Sequence, residues 1–357
     1  MLWKERAEQA QQALEREFWN PSIRMYDIET PCPDGACNTI FHYWWMAHAA
    51  DGLVDGLIRS GDTPYAERLA ELHEGVRTKN GGAFPNLLYD DMEWMGIAWL
   101  RAYGATGEAR YQETALALWD DIRTGWNETM GGGIAWHKEQ LGYKNTPANG
   151  PAAILAARLY RSFGREEDLD WARRIYDWLK AHLVDPASGF VWDGMNRQGD
   201  GAIDKDWRFT YCQGVFVGAA VELYRATGDR VYLDDAFRTA EAAAAEWADG
   251  VLPDEGEGDG GLFKGILVRY LTELVAEAGT SGESAAAAQA DWLLRNAETL
   301  WAAIGGADGE RRSRLIGTDW RAAPAGKVTL SAQLSGVFLF EGMAVLEQRG
   351  LVPATVR

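Results

Sequence analysis

Two kinds of apolar pattern alternate along the chain. In the first, apolar residues recur at helical spacing on one face while the other face is charged, as in Trp171, Ile175, Trp178 and Leu179, which describes an amphipathic helix with one side in water. It covers residues of about 3–18, 64–78, 109–123, 168–182, 232–247 and 284–301. In the second kind the residues are apolar nearly all round and rich in Gly, Ala and aromatics, over about 40–58, 90–103, 149–160, 213–224, 264–275 and 333–346. The run Gln213-Gly-Val-Phe-Val-Gly-Ala-Ala-Val-Glu-Leu-Tyr224 is typical: it has no polar face to offer solvent, so it belongs inside.

A repeat punctuates the junctions. Tyr103, Tyr160 and Tyr224 are each followed four residues later by a glycine (Gly107, Gly164, Gly228) and eight residues after that by an alanine (Ala115, Ala172, Ala236). A glycine at that point takes the left-handed conformation that ends a helix, and the next helix begins within a few residues. The units are helical hairpins. Their spacing, 57 residues from Tyr103 to Tyr160 and 64 from Tyr160 to Tyr224, is regular. Six outer and six inner helices predict an all-α, closed (α/α)6 toroid spanning residues 1–357 as one catalytic domain. The segments entering inner helices, 124–148, 183–212 and 248–263, are long and irregular, and loops gathered at one end of a rigid scaffold are where a site is usually built.

Composition narrows the partners. Of 357 residues, 47% are apolar and 25% charged, which suits a globular fold with a substantial core. Lys plus Arg number 35 against 53 Asp plus Glu, a net charge of −18, which repels a nucleic-acid backbone or an anionic membrane. The 17 Trp point to an aromatic core or to flat rings that stack on sugar faces. Trp119, Trp171, Trp178, Trp247 and Trp292 fall on outer helices and suit interlayer packing, whereas Trp94, Trp136, Trp192 and Trp207 lie near the inner-helix mouths and loops. The charge leaves a neutral or well-solvated partner, a neutral oligo- or polysaccharide being one that a surface set of Trp rings would suit, with no nucleic acid and no membrane.

Charged residues interrupt the first ten positions, and no run of 18 uncharged apolar residues occurs, so the sequence as given predicts a cytoplasmic protein, a trimmed leader being the alternative. The odd set Cys32, Cys37 and Cys212 reads as free thiols, with a Cys32–Cys37 bridge in an exported form as the rival. Five scattered His residues form no metal-binding spacing, so a dedicated metal site is not expected.

The sharpest local feature is Tyr89-Asp90-Asp91-Met92-Glu93-Trp94, two adjacent carboxylates at the start of an inner helix. One such acid is explained by the helix dipole. Two held close cannot both ionise cheaply, so one pKa should rise, and a pair with split pKa values can act as acid and nucleophile. Helical geometry puts neighbouring Cβ atoms roughly 5 Å apart, near the roughly 5–5.5 Å carboxyl separation of retaining glycosidases. Asp120-Asp121 and Asp234-Asp235, on outer helices, are internal controls expected to be solvated. The loops add Gly131-Gly-Gly-Ile134 with Trp136 and His137, Tyr143-Lys-Asn145 with Asn149, Trp192-Asp193, and Tyr211-Cys-Gln213-Gly214. Each offers a flat ring beside an amide, hydroxyl or carboxylate, or a plug for the ring interior; His137 alone reads as a hydrogen-bonded pocket residue rather than a base.

Taken together these residues resemble glycoside hydrolase family 76, the retaining endo-α-1,6-mannanases. The similarity runs from about residue 40 to 345 and rests on Asp90-Asp91 with Trp94, Gly131-Gly132-Gly133-Ile134 with Trp136, Tyr143-Lys144-Asn145, and Tyr211-Cys212-Gln213-Gly214. The resemblance implies the (α/α)6 fold, Asp90 as nucleophile, Asp91 as general acid/base, and cleavage of α-1,6-linked mannose through a glycosyl-enzyme intermediate. It places Trp94, Trp136, Tyr143, Asn145, Asn149, Asp193, Tyr211 and Gln213 along the sugar subsites and implies no metal or organic cofactor. Cys212 stands where the family's motif has Asn, which reshapes that part of the pattern. Alternatives are another sugar enzyme on the same scaffold or a glycan-binding protein without catalysis. An epimerase would want paired His bases, which five His disfavour; an unsaturated-uronide hydrolase would want loop cations, which Lys144, Lys205, Arg208 and Lys264 leave open.

Overall fold

The computed structural model describes residues 2–279, 284–305 and 314–353. Among them are twelve α-helices: α1 (Leu2–Phe18), α2 (Tyr43–Ser60), α3 (Thr63–Lys79), α4 (Tyr89–Thr106), α5 (Ala109–Ile122), α6 (Gly150–Phe163), α7 (Glu166–Leu183), α8 (Thr210–Thr227), α9 (Arg230–Glu246), α10 (Gly260–Ala278), α11 (Ser284–Gly305) and α12 (Leu330–Gln348). Every expected helix is present. Strands are two residues long and pair in antiparallel couples: β1 (Trp19–Asn20) with β2 (Met25–Tyr26), β3 (Glu29–Thr30) with β6 (Val328–Thr329), and β4 (Lys144–Asn145) with β5 (Gly194–Met195).

The helices form two compact units, Gly82–Ala243 and the combination of Met1–Gly81 with Ala244–Arg357. In the first, α6 packs against both α4 and α8, while α5 and α7 back onto α4 and α6. The expected division by burial holds: α6 buries an unbroken run from Gly150 to Ala157, whereas α7 buries the stripe Leu169, Ala172, Ile175, Tyr176, Trp178 and Leu179. Burying each large aliphatic side chain of such a stripe contributes about 1.5–3 kcal/mol. Gly107, Gly164 and Gly228 close the hairpin turns, their N–H groups donating to the carbonyls of Tyr103, Tyr160 and Tyr224 at 2.7–2.8 Å, and all three are left-handed, where a Cβ would be strained. Ala115, Ala172 and Ala236 are fully buried.

In the second unit, α2 pairs with α3, α10 with α11, and α12 with α1. The last hairpin therefore comes from the two ends of the sequence. Glu347 accepts hydrogen bonds from the N–H groups of Leu2 and Trp3 at 2.9 and 3.1 Å, satisfying donors that α1 leaves open at its positive end. Gln11 donates to Glu341 at 3.0 Å. Gly61 ends α2 as the other hairpin glycines do, on Leu57 at 2.8 Å; the missing tyrosine hid it from the repeat.

The free-thiol reading of the cysteines is corrected. Cys32 and Cys37 form a disulfide, and Cys212 is a buried thiol outside it. A turn at Pro33–Gly35, with Asp34 and Gly35 at positive φ, folds the chain back until the two Cα atoms lie 5.5 Å apart, within bridging range. Cysteine parity carries no information about such a turn.

Candidate active site

Leu88 is extended and bridges His137, and Tyr89 N–H donates to the Trp136 carbonyl at 3.0 Å, so the start of α4 is fastened to the loop that precedes α6. The first turn then carries Asp90 and Asp91 side by side. One Asp90 carboxylate oxygen accepts the backbone N–H of Asp91 at 2.9 Å and the other accepts the Trp136 indole N–H at 3.0 Å. Asp91 is 8% exposed and accepts the Asn86 amide at 3.1 Å, while Asn86 also accepts Leu88 N–H at 2.9 Å. Asn86 thus ties the approach strand to the second carboxyl. The control pairs behave otherwise: Asp120 and Asp234 are exposed and paired with Arg123 and Arg230, while Asp121 and Asp235 meet Lys138 and Lys180.

Three consecutive glycines thread the loop between aromatic rings. A Cβ on Gly133 would lie 2.8 Å from the Trp178 ring, so no larger residue fits without moving it. Lys144 is fully buried and donates to the Gly133 carbonyl at 2.6 Å; burial lowers its pKa to about 8, with the Glu128 charge opposing. Asn149 accepts Ile134 N–H at 2.8 Å and donates to the carbonyls of Ile134 and Asn145 at 3.0 and 2.8 Å. Gln213 does the same for the next loop, accepting Val191 N–H at 2.8 Å and donating to its carbonyl at 2.7 Å. In the other unit, Gln333 near the start of α12 likewise accepts Ile316 N–H at 2.9 Å. Buried amides at inner-helix starts are a repeated way of holding incoming loops.

Pairing of β4 with β5 sets Asn145 opposite Gly194. A Cβ at Gly194 would come within 2.7 Å of the Tyr143 hydroxyl; without one, Tyr143 reaches Asp193 and donates to it at 3.2 Å. Tyr211 also donates to Asp193, and Arg197 pairs with it at 3.1 Å. Asp193 is 3% exposed; burial raises its pKa, with the Tyr211 hydroxyl and Arg197 opposing. Cys212, in the motif position of Asn, points its thiol at the same carboxylate, 3.8 Å away.

Direct contacts therefore join Asp90, Trp136, Tyr143, Asp193 and Tyr211, the Trp136 and Tyr143 rings meeting edge to face at 5.9 Å. Asp91 adjoins Asp90, and Trp94, 5% exposed, follows one turn later. Asn149 and Gln213 are fully buried behind the loops and hold backbone, and Asn145 accepts the Ala148 N–H at 3.2 Å. Three residues escaped the sequence reading. Asn86 precedes the helix and gave no periodic signal; Glu93 lay within the acidic motif; Arg197 sits in a loop with no pattern. Of the four cations expected in loops, Lys264 lies instead on α10 and donates to the Pro253 and Thr318 carbonyls; Lys144 is bound as above, Lys205 lies over Trp192 at 4.8 Å and Arg208 over Phe190 at 3.9 Å.

A family model described as glycosyl hydrolase family 76 matches residues 2–355. Mannan endo-1,6-alpha-mannosidase of Candida glabrata is 26% identical, covering 66% of this chain and 59% of that protein. Its counterpart in Eremothecium gossypii is 25% identical, covering 88% and 71%. The chain thus spans about three-fifths of the first relative's length. Among solved structures, the GH76A alpha-1,6-mannanase from Salegentibacter sp. HEL1_6 matches with a TM-score of 0.89 at 43% identity, covering 96% of this chain and 99% of that one. An inactive variant of that enzyme, with two aspartates replaced by alanine, has been solved in complex with α-1,6-mannotetrose. The Lin0763 protein from Listeria innocua matches with a TM-score of 0.89 at 39% identity, covering 97% and 98%. The (α/α)6 class expected from the alternating helices is the one these comparisons assign.

Proposed function

The chain belongs to glycosyl hydrolase family 76, and from that premise we propose that it is a retaining hydrolase of α-1,6-linked mannose chains, with Asp90 as nucleophile and Asp91 as general acid/base. The observation carrying the assignment is the grip on Asp90. Two N–H donors, from Asp91 and the Trp136 indole, fix its carboxylate in one orientation, as attack through a defined oxygen requires. An Asp90 oxygen bonds to the anomeric carbon while Asp91 gives its proton to the departing glycosidic oxygen; Asp91 then takes a proton from water as that water displaces Asp90. Trp136, Tyr143 and Tyr211 present rings and hydroxyls to a neutral sugar, with Asp193 holding the two tyrosines. Lys144 and Lys264 are buried and committed to backbone carbonyls, which removes both from any role in binding an anionic uronide. The Cys32–Cys37 bond supports an oxidising setting over the cytoplasmic one that the N-terminal residues suggested.

The test is digestion of α-1,6-mannan followed by NMR of the first-formed anomer. Retention is expected, and inversion would overturn the double-displacement assignment. Asp90→Asn and Asp91→Asn are expected to fold; loss of the acid/base at Asp91 costs about 10²–10⁴ in turnover, and loss of the nucleophile at Asp90 removes the covalent route and costs at least as much; near-normal turnover by either variant excludes its assigned role.

A further inference from the structure

We infer that Trp207 is a second sugar-stacking platform, set outward from the catalytic pair and binding a neutral hexose unit of the same α-linked chain; this rests on the hydrolase reading above. Trp207 is 43% exposed, a large flat apolar surface left in water on a loop, where it plugs no core. Its ring is nevertheless immobilised. The Arg197 guanidinium lies 3.6 Å over the indole centroid and 4.6 Å over that of Tyr143. Arg197 is in turn held by Asp193 and Asp204, each at 3.1 Å. The loop backbone is pinned as well: Asp204 N–H donates to the Gly194 carbonyl at 2.8 Å, and Trp207 N–H to the Asp204 carbonyl at 3.2 Å.

Three properties follow. The indole is preorganised, so a ligand stacking on its open side pays little of the ordering cost that a mobile surface tryptophan would impose. The guanidinium behind it is matched by two carboxylates, so the platform suits an uncharged ligand, and the C–H face of a hexose fits the indole face. The platform is also continuous with the site, since Trp136 bonds Asp90, Tyr143 adjoins Trp136, and Arg197 joins Tyr143 to Trp207. Trp207 does not itself touch Trp136 or Asp90 in this chain of contacts, so a sugar stacked on it is a different unit from the one at the nucleophile, and the effect of the platform should grow with chain length.

The experiment compares wild type, Trp207→Ala and Trp207→Phe on α-1,6-linked manno-oligosaccharides of increasing length. For Trp207→Ala, the ratio of kcat/KM on the longest to that on the shortest cleaved substrate is expected to fall about tenfold, mostly through KM, and Trp207→Phe to restore most of it. Calorimetry with the same oligosaccharides on Asp90→Asn protein, with and without Trp207→Ala, should show the same length-dependent loss of affinity. Equal loss at every length with a lowered Tm would make Trp207 structural and overturn the inference, as would no loss at any length. If wild type neither cleaves nor binds these chains, the hydrolase reading itself fails and takes the platform with it; if wild type is active and Trp207→Ala matches it, only the platform fails.

Discussion

Three residues after Asp90 on α4, Glu93 is a carboxyl with no exposed surface. Burial pushes its pKa well above the ordinary value of 4.5, the Asp90 charge pushes it further, and the Ala152 N–H opposes them only in part. The shift favours the protonated form of Glu93, the form that adds no second charge beside the nucleophile. The sign of its effect on stability follows. Above 4.5 the unfolded chain releases this proton while the folded chain keeps it, so the group's contribution is lost as pH rises, by no more than about 1.4 kcal/mol per pH unit. Glu93→Gln keeps the shape and removes the titration. Thermal unfolding followed upward from pH 4.5 should show the variant gaining on wild type as pH rises, and a constant gap would show that the Glu93 pKa is not raised. The sequence contained the clue, because a helix apolar nearly all round buries its middle turns whole, here from Asp91 to Leu100. The adjacent Asp pair drew attention away from the acid one turn on.

At the level of elements, what local chemistry specifies was legible and what distant partners specify was not. Gly107, Gly164 and Gly228 end helices through bonds to carbonyls four residues back, and a window of ten residues contains the whole cause. Asn149 and Gln213 look, within the same window, like amides awaiting a sugar. Their partners lie 15 and 22 residues away, at Ile134 and Val191. A motif marks both the residues that line a cleft and those that hold the lining, and spacing alone does not separate them. Each amide makes three hydrogen bonds to backbone, all buried for Asn149 and two of the three buried for Gln213. Truncation to Ala should therefore cost about 2–3 kcal/mol of stability apiece, read as a lower unfolding midpoint in urea. A Gln213→Ala protein with unchanged stability and a raised KM would instead place that amide on the substrate.

Across the whole molecule, the remotest contacts are the ones that periodicity says least about. α1 and α12 pair through Glu347 and Leu2, 345 residues apart, and β3 pairs with β6 across a similar span, setting Thr30 opposite Val328. The disulfide begins two residues after β3, so it braces the segment that reaches the far end of the chain. It was legible only as one of two possibilities, because the turn that closes it depends on local backbone rather than on cysteine number. Its closed loop is short, and chain-entropy reasoning for a loop of about six residues gives about 2 kcal/mol of stabilisation. Protein prepared without reductant and denatured should react with a thiol reagent at one site, Cys212, and at three after reduction. Reduction should lower Tm by about 2–3 °C for a chain of this size. Three reactive thiols before any reductant is added would show that the bond does not form, and would remove the support it gives to an oxidising compartment.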